Sequence, residues 1–167
     1  MPVQFVYLSS ESVKTGGNPS AYVLSNNQIK INLGGMFSNI PPYVKVSVIQ
    51  CEVQSEIQFS GGVVICSDFA ASNYRNLANT GTCLAILPDE TKQASIYHYV
   101  LSSNEKPEYI VYGNLEQFTI YFCDYLGTIL NFTEVGGVPQ QLFAMLIKFE
   151  TPEQNEIVNN YRRSIPY

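Results

Sequence analysis

The sequence predicts an all-β sandwich of roughly eight strands, and three observations lead there. Short apolar runs with period-two alternation recur along the chain, separated by Gly, Pro and Asn, and no strong amphipathic helix interrupts them. The 12 Tyr and 9 Phe suit a pleated, half-buried surface. The long run from Tyr43 to about Phe59 changes the parity of its apolar residues midway, as a bent strand serving two sheets does.

Each element rests on its own pattern. Val3 to Leu8 is a short apolar run, broken by Gly16-Gly17-Asn18-Pro19. Ala21 to Leu24 and Ile29 to Leu33 form one interrupted strand around Ser25-Asn26-Asn27, ended by Gly34-Gly35. In the long strand after Pro41-Pro42, Val44, Val46 and Val48 share one face, and Ile49, Cys51 and Val53 share the other. The switch predicts a β-bulge or bend near Val48 and Ile49. Gly61-Gly62 turns the chain into Val63 to Cys66. Asp68 to Thr82, with Asn73, Asn76 and Asn79, reads as a long irregular connection. Cys83 to Leu87 and Ile96 to Leu101 are strands on either side of Pro88-Asp89-Glu90, and Ser102 to Pro107 is a loop. Tyr109 to Tyr112 is a short strand, and Gly113-Asn114 turns it into Leu115 to Cys123. There Phe118, Ile120 and Phe122 alternate with Thr119 and Tyr121. Asp124-Tyr125-Leu126-Gly127 is a turn into a short arm, Ile129 to Phe132, and Gly136-Gly137 closes that hairpin region. Leu142 to Phe149 is the last strand, and Pro152 to Asn160 a short helix. Eight principal strands arranged as two Greek keys make a jelly roll. The expected organisation is an N-terminal arm over residues 1–19, a jelly-roll domain over 20–150, and a C-terminal arm over 151–167.

Composition narrows the function. Charged residues make up 14% of the chain and hydrophobic ones 46%, against a usual charged share of about 25%. A surface so poor in charge is uncharged polar, or is covered by neighbours. The formal charge of −5 argues against phosphate-dominated nucleic-acid binding, which needs clustered Lys and Arg. No apolar run is long enough to span a bilayer as a helix, and the opening residues lack the pattern of a signal peptide, so the chain reads as soluble and unsecreted.

Catalytic signals are sparse. His98 is the single histidine, which excludes multi-histidine metal sites. Between Tyr97 and Tyr99 it reads as a hydrogen-bonded structural residue in a strand. Cys51, Cys66, Cys83 and Cys123 lie in apolar runs without the spacings of zinc or redox motifs and read as buried thiols. None of the glycine pairs continues into a phosphate-binding loop. Asp68, Asp89, Glu90 and Asp124 fall at loops and strand ends, where carboxylates accept local backbone hydrogen bonds. The sequence therefore names no catalytic, metal or cofactor-binding residue and predicts a non-enzyme.

Interaction residues are more visible. Tyr7, Tyr43, Tyr74, Tyr112, Tyr161 and Tyr167 exceed what one core accommodates, and Tyr is enriched at interfaces. The C-terminal arm combines Tyr161, Arg162, Arg163, Ile165 and Tyr167, an aromatic and basic anchor set on an acidic protein.

Taken together, Phe5-Val6-Tyr7-Leu8-Ser9-Ser10, Ile29-Lys30-Ile31-Asn32-Leu33 and Tyr43-Val44-Lys45-Val46-Ser47-Val48 resemble the start of single jelly-roll capsid proteins. These are the penton and small minor capsid proteins of large eukaryotic DNA viruses and virophages. Phe118-Thr119-Ile120-Tyr121 and Asp124-Tyr125-Leu126-Gly127 are similar to the penultimate strand and following turn of the same proteins. The resemblance spans about residues 3 to 149. It implies a virion protein, made and assembled inside the host cell, that forms a homopentamer and meets other capsid proteins such as the major capsid protein. It carries over no catalytic residue. No outer domain is inserted between strands, which weighs against a receptor-binding spike. Two alternatives stand beside the penton: a minor capsid (cement) protein between or beneath major capsid trimers, and a lectin-like carbohydrate-binding module.

Overall fold

The structure is a computed structural model. It describes residues 3–10, 22–25, 28–36, 39, 41–68, 82–104, 107–112, 117–131, 134–135, 138–139 and 141–158. These residues form thirteen strands in two antiparallel sheets and a small hairpin. The first sheet contains β1 (Gln4–Ser9), β13 (Gln141–Glu150), β4 (Tyr43–Ser55), β8 (Ile96–Val100) and β7 (Asp89–Gln93) in that order, with β9 (Glu108–Tyr112) also paired to β4. The second contains β2 (Tyr22–Ser25), β3 (Gln28–Asn32), β10 (Gln117–Cys123), β5 (Val63–Ser67) and β6 (Thr82–Leu87). β11 (Glu134–Val135) and β12 (Val138–Pro139) pair with each other. The all-β sandwich expected from the alternation is thus present.

Alternation fills the space between the sheets. Phe143, Met145, Ile147 and Phe149 on β13 and Val44, Val46, Val48, Cys51 and Val53 on β4 meet Ile29, Ile31, Val63, Ile65, Phe118, Ile120 and Phe122 of the opposing sheet. Two ring pairs bridge the layers: Phe122 with Phe143, centroids 5.2 Å apart, and Phe118 with Phe149, 6.4 Å apart. Tyr99 is fully buried and accepts a 2.6 Å hydrogen bond from the Phe59 backbone N–H, while the Tyr109 hydroxyl donates to the Leu84 carbonyl. A buried phenol needs such a partner.

The predicted bulge lies where the parity changes. Ile147 pairs with Val48 and Leu146 with Gln50, so Ile49 is the extra residue. It also marks a change of partner, since β4 pairs with β9 over Tyr43 to Ser47 and with β8 over Glu52 to Ser55. Two details are corrected: β4 stays in the first sheet throughout rather than serving both, and Ile49 does not join Cys51 and Val53 in the core but is 44% exposed. The bulge residue is released from the pleat, and the inward series resumes two residues later.

Other expectations shift at element ends. β4 stops at Ser55, whose hydroxyl accepts the Ile57 N–H and turns the chain before Phe59. β7 follows Pro88 where the sequence reading placed only a break between two strands; it is polar throughout but is drawn into the sheet by a tight hairpin to β8, with Ala94 at φ 55°. Gln4–Ser9, within the expected N-terminal arm, pairs along β13 and places Leu8 in the core. The Ile129 arm contributes a single bridge to Cys123 and a bond from Leu130 N–H to the Phe122 carbonyl. The Asp124 turn forms as read: the carboxylate accepts the N–H groups of Leu126 and Thr128, and Gly127 sits at φ 86°. Asp68 likewise accepts the Thr119 N–H. Residues 154–158 are helical, as expected near the C-terminus, while most of the 68–82 connection lies outside the described residues.

Candidate functional site

The outer face of the first sheet carries the most unusual surface. Among the described residues β1 is an edge strand, with β13 on one side only. Its core-facing residues are Val6 and Leu8, so alternation sends Val3, Phe5 and Tyr7 outward. Phe5 and Tyr7 are 60% and 61% exposed. Opposite them β13 presents Lys148 and Leu146, and further along Ala144 and the exposed Leu142. β1 holds no charged residue. An uncharged edge with exposed aromatic side chains is the kind of strand that proteins normally cover, shorten or charge to prevent pairing with another chain.

Beside this edge lies a cleft of about 230 Å³ lined by Tyr7, Ser9, Ser10, Glu52, Gln54, Leu142, Phe143 and Ala144. The register builds it: Ala144 stands between Ser9 on β1 and Glu52 on β4, and Leu142 faces Gln54. Gln54 in turn faces His98 on β8. Glu52 Oε1 lies 2.8 Å from His98 Nδ1 and accepts from Gln54 Nε2 at 2.9 Å. The bond to His98 holds the Glu52 carboxyl below its ordinary range, against the opposing effect of partial burial. At the cleft's end the Phe143 N–H donates to the buried Ser10 hydroxyl at 3.4 Å. The result is a small polar recess with a fixed carboxylate, flanked by an exposed tyrosine. His98 is hydrogen-bonded, as read from the sequence; its partner lies 46 residues away, a distance no local pattern reports.

At the other end of the same face Lys45 gathers three carboxylates, Glu156 at 2.6 Å, Glu108 at 3.2 Å and Glu150 at 3.8 Å, while Lys148 pairs with Glu150 at 2.7 Å. This cluster fastens the helical turn 154–158 against the sheet. The bond from Lys45 pulls the Glu156 carboxyl below its ordinary range, and the bond to Glu156 raises the Lys45 ammonium above 10.5. Both Glu52 and Glu156 are thus more acidic folded than unfolded. Their contribution is complete above the unfolded carboxyl value of about 4.3 and is lost as pH falls through the lower folded values. Glu156→Gln is expected to remove part of that acid dependence and cost less than about 1 kcal/mol, because the pair is part exposed. Urea melts between about pH 3 and pH 6, with faster exchange of the Ile157 amide, which bonds to the Glu153 carbonyl, check this.

Among the sequence-predicted interaction residues, Tyr7 stands on the exposed edge and Tyr43 is half-buried on β4. The side chain of Tyr112, and the whole of Tyr74, Tyr161, Arg162, Arg163, Ile165 and Tyr167, lie outside the described residues. Phe5 and the Glu52 recess were not singled out from the sequence. The available signal was the parity of Phe5 and Tyr7 against Val6 and Leu8, which points two large rings away from the core side. Among the described residues no helix is long and apolar enough to cross a membrane. Compared with models of protein families and with curated proteins, the chain matches none of them.

Proposed function

We propose that this chain is a structural subunit of a viral capsid, a single jelly roll of which five copies close an icosahedral vertex, and that it performs no catalysis. The β1 edge, whose outer side no strand among the described residues pairs, with Phe5 and Tyr7 turned outward beside Leu146 and Leu142, is the observation that carries the assembly reading. The pairing order supports the jelly roll. β1 pairs with β13, β3 with β10, β4 with β8 and β9, and β5 with β6. The first strand thus meets the last, and the nesting proceeds inward, as when a long antiparallel hairpin is rolled up. The resemblance of the Phe5 to Ser10, Tyr43 to Val48 and Asp124 to Gly127 segments to penton and minor capsid proteins supplies the viral part. On this reading the partners are copies of the chain and the major capsid protein, the location is the virion, and no cofactor is called for.

A ring subunit uses a heterologous interface, so β1 meets a different surface of its neighbour. Native mass spectrometry of the purified chain is expected to give a pentamer. Phe5→Lys combined with Tyr7→Glu is expected to leave a folded monomer, because two aromatic anchors at an interface centre contribute about 2 kcal/mol or more each. A chain that stays monomeric at every concentration, yet binds trimers of a major capsid protein, is the minor capsid protein instead. A chain that does neither is not a capsid subunit. The second reading, a lectin-like module, draws on Tyr7 beside the polar Glu52 and Gln54 recess, since sugars pack on aromatic faces and hydrogen-bond to carboxylates and amides. Selective signal on a glycan array, abolished by Tyr7→Ala, would favour it.

A further inference from the structure

The outer face of the second sheet carries a feature that neither the assembly reading nor the recess uses. On β5, Val63 and Ile65 point into the core, so Val64 and Cys66 face the other way, where Tyr121 and Cys123 of β10 join them in a second buried cluster, with Cys83 of β6 and Ile129 packed against it. Three of the chain's four cysteines therefore share one face of one sheet. The register brings two of them together. Ile65 pairs with Ala85 but Cys66 pairs with Cys83, so Leu84 is bulged. Without that bulge Cys66 would face Leu84, and Cys83 would face Ser67. The bulge also lets Leu84 turn into the core.

Directly opposed residues of antiparallel strands have Cα atoms about 4.5–5.5 Å apart, inside the range of about 4.4–6.8 Å that disulfides span. The two sulfurs differ in access. Cys66 is fully buried, whereas Cys83 is part exposed, with its thiol directed at the Ala85 carbonyl, 3.8 Å away. The neighbouring Tyr121 hydroxyl is pushed up to about 12, mainly by burial, and so adds no charge beside them near neutral pH. Cys51 is different: it lies between the sheets, where burial holds it as a protonated thiol.

We propose that Cys83 and Cys66 are a peroxide-responsive dithiol whose oxidation ties edge strand β6 to β5 at the stem of the 68–81 connection. The Cys83 thiolate attacks one oxygen of hydrogen peroxide. An S–O bond forms, the O–O bond breaks, and the departing hydroxide takes up a proton as water. The Cys66 sulfur then attacks the sulfenic sulfur of Cys83. The S–S bond forms, the S–O bond breaks, and hydroxide leaves with the Cys66 proton as a second water. Two thiols and one peroxide become one disulfide and two waters, the two electrons passing from sulfur to oxygen.

The test treats the full chain with a small excess of hydrogen peroxide, blocks remaining thiols with N-ethylmaleimide and maps the peptides by mass spectrometry. The expected product is a Cys66–Cys83 linked peptide two hydrogens lighter than the reduced pair, with Cys51 unoxidised. The oxidised protein is expected to melt about 5 °C or more higher, because the link closes residues 67–82 into a loop, and dithiothreitol should reverse the shift. Cys83→Ser is expected to remove both the link and the shift, and Cys66→Ala to leave a dimedone-reactive sulfenic acid on Cys83. If Cys66→Ala fails to fold, Cys83→Ser, at the part-exposed position, decides alone. Oxidation of Cys83 to sulfinic acid without a link, a Cys66–Cys123 link in its place, or a link that survives in Cys83→Ser would overturn the proposal. None of these outcomes depends on whether the chain assembles.

Discussion

Phe122→Ala is expected to destabilise the protein by about 4 kcal/mol, the range for deleting a fully buried aromatic ring. Phe122 is 0% exposed, and its ring meets Phe143 from the opposite sheet at 5.2 Å. Truncation removes apolar area and leaves a cavity that two stiff sheets can close only partly. The loss should appear in urea melts as a lower midpoint with an unchanged slope, which separates lost stability from a changed unfolded state. A double-mutant cycle with Phe143→Ala should give a coupling of about 0.5–1.5 kcal/mol, the contribution of ring contact beyond area. Phe5→Ala is the control: the same residue type on an exposed edge should change stability by less than about 0.5 kcal/mol. Equal losses at Phe5 and Phe122 would place β1 differently from the sheet edge described above.

The second large effect concerns a single methyl group. Gly62→Ala is expected to cost about 3 kcal/mol, for two reasons that act together. Gly62 has φ 84°, a conformation that side-chain-bearing residues rarely adopt, and a Cβ there would overlap the carbonyl oxygen of Leu87. The nearby Leu87 carbonyl carbon at 3.1 Å and Pro88 Cα at 3.2 Å are also backbone atoms, so no flexible side chain can move aside. Gly62 leads directly into β5, and its N–H closes a turn onto the Phe59 carbonyl. The strain therefore falls on the junction that sends the chain into the second sheet. Gly61→Ala shares the positive φ but meets only Tyr125 side-chain atoms at 3.6 Å or more, and its cost should be nearer 1 kcal/mol. Calorimetry on the two variants separates strain alone from strain plus overlap.

The sequence by itself determined what depends on neighbours along the chain. Alternation in β10 assigned Phe118, Ile120 and Phe122 to one side of their strand, because successive side chains leave a pleat on opposite faces. The parity break after Val48 announced a bulge, and Asp124 with Gly127 announced a turn, since a carboxylate two residues from an amide and a glycine at positive φ are local requirements. Tertiary structure decided everything that depends on which strand lies beside which. The polar β7 became a strand because β8 offered it a ladder. Ile49 became the exposed member of its run because the extra residue had to leave the pleat. β1 became an edge of the first sheet among the described residues, with β13 on its one paired side. Glu52 met His98, and Cys66 met Cys83, only through register, and a shift of one residue exchanges every facing pair. Strand pairing is long-range and side-chain parity is local, which is why the sandwich could be read from the chain and its recess and dithiol could not.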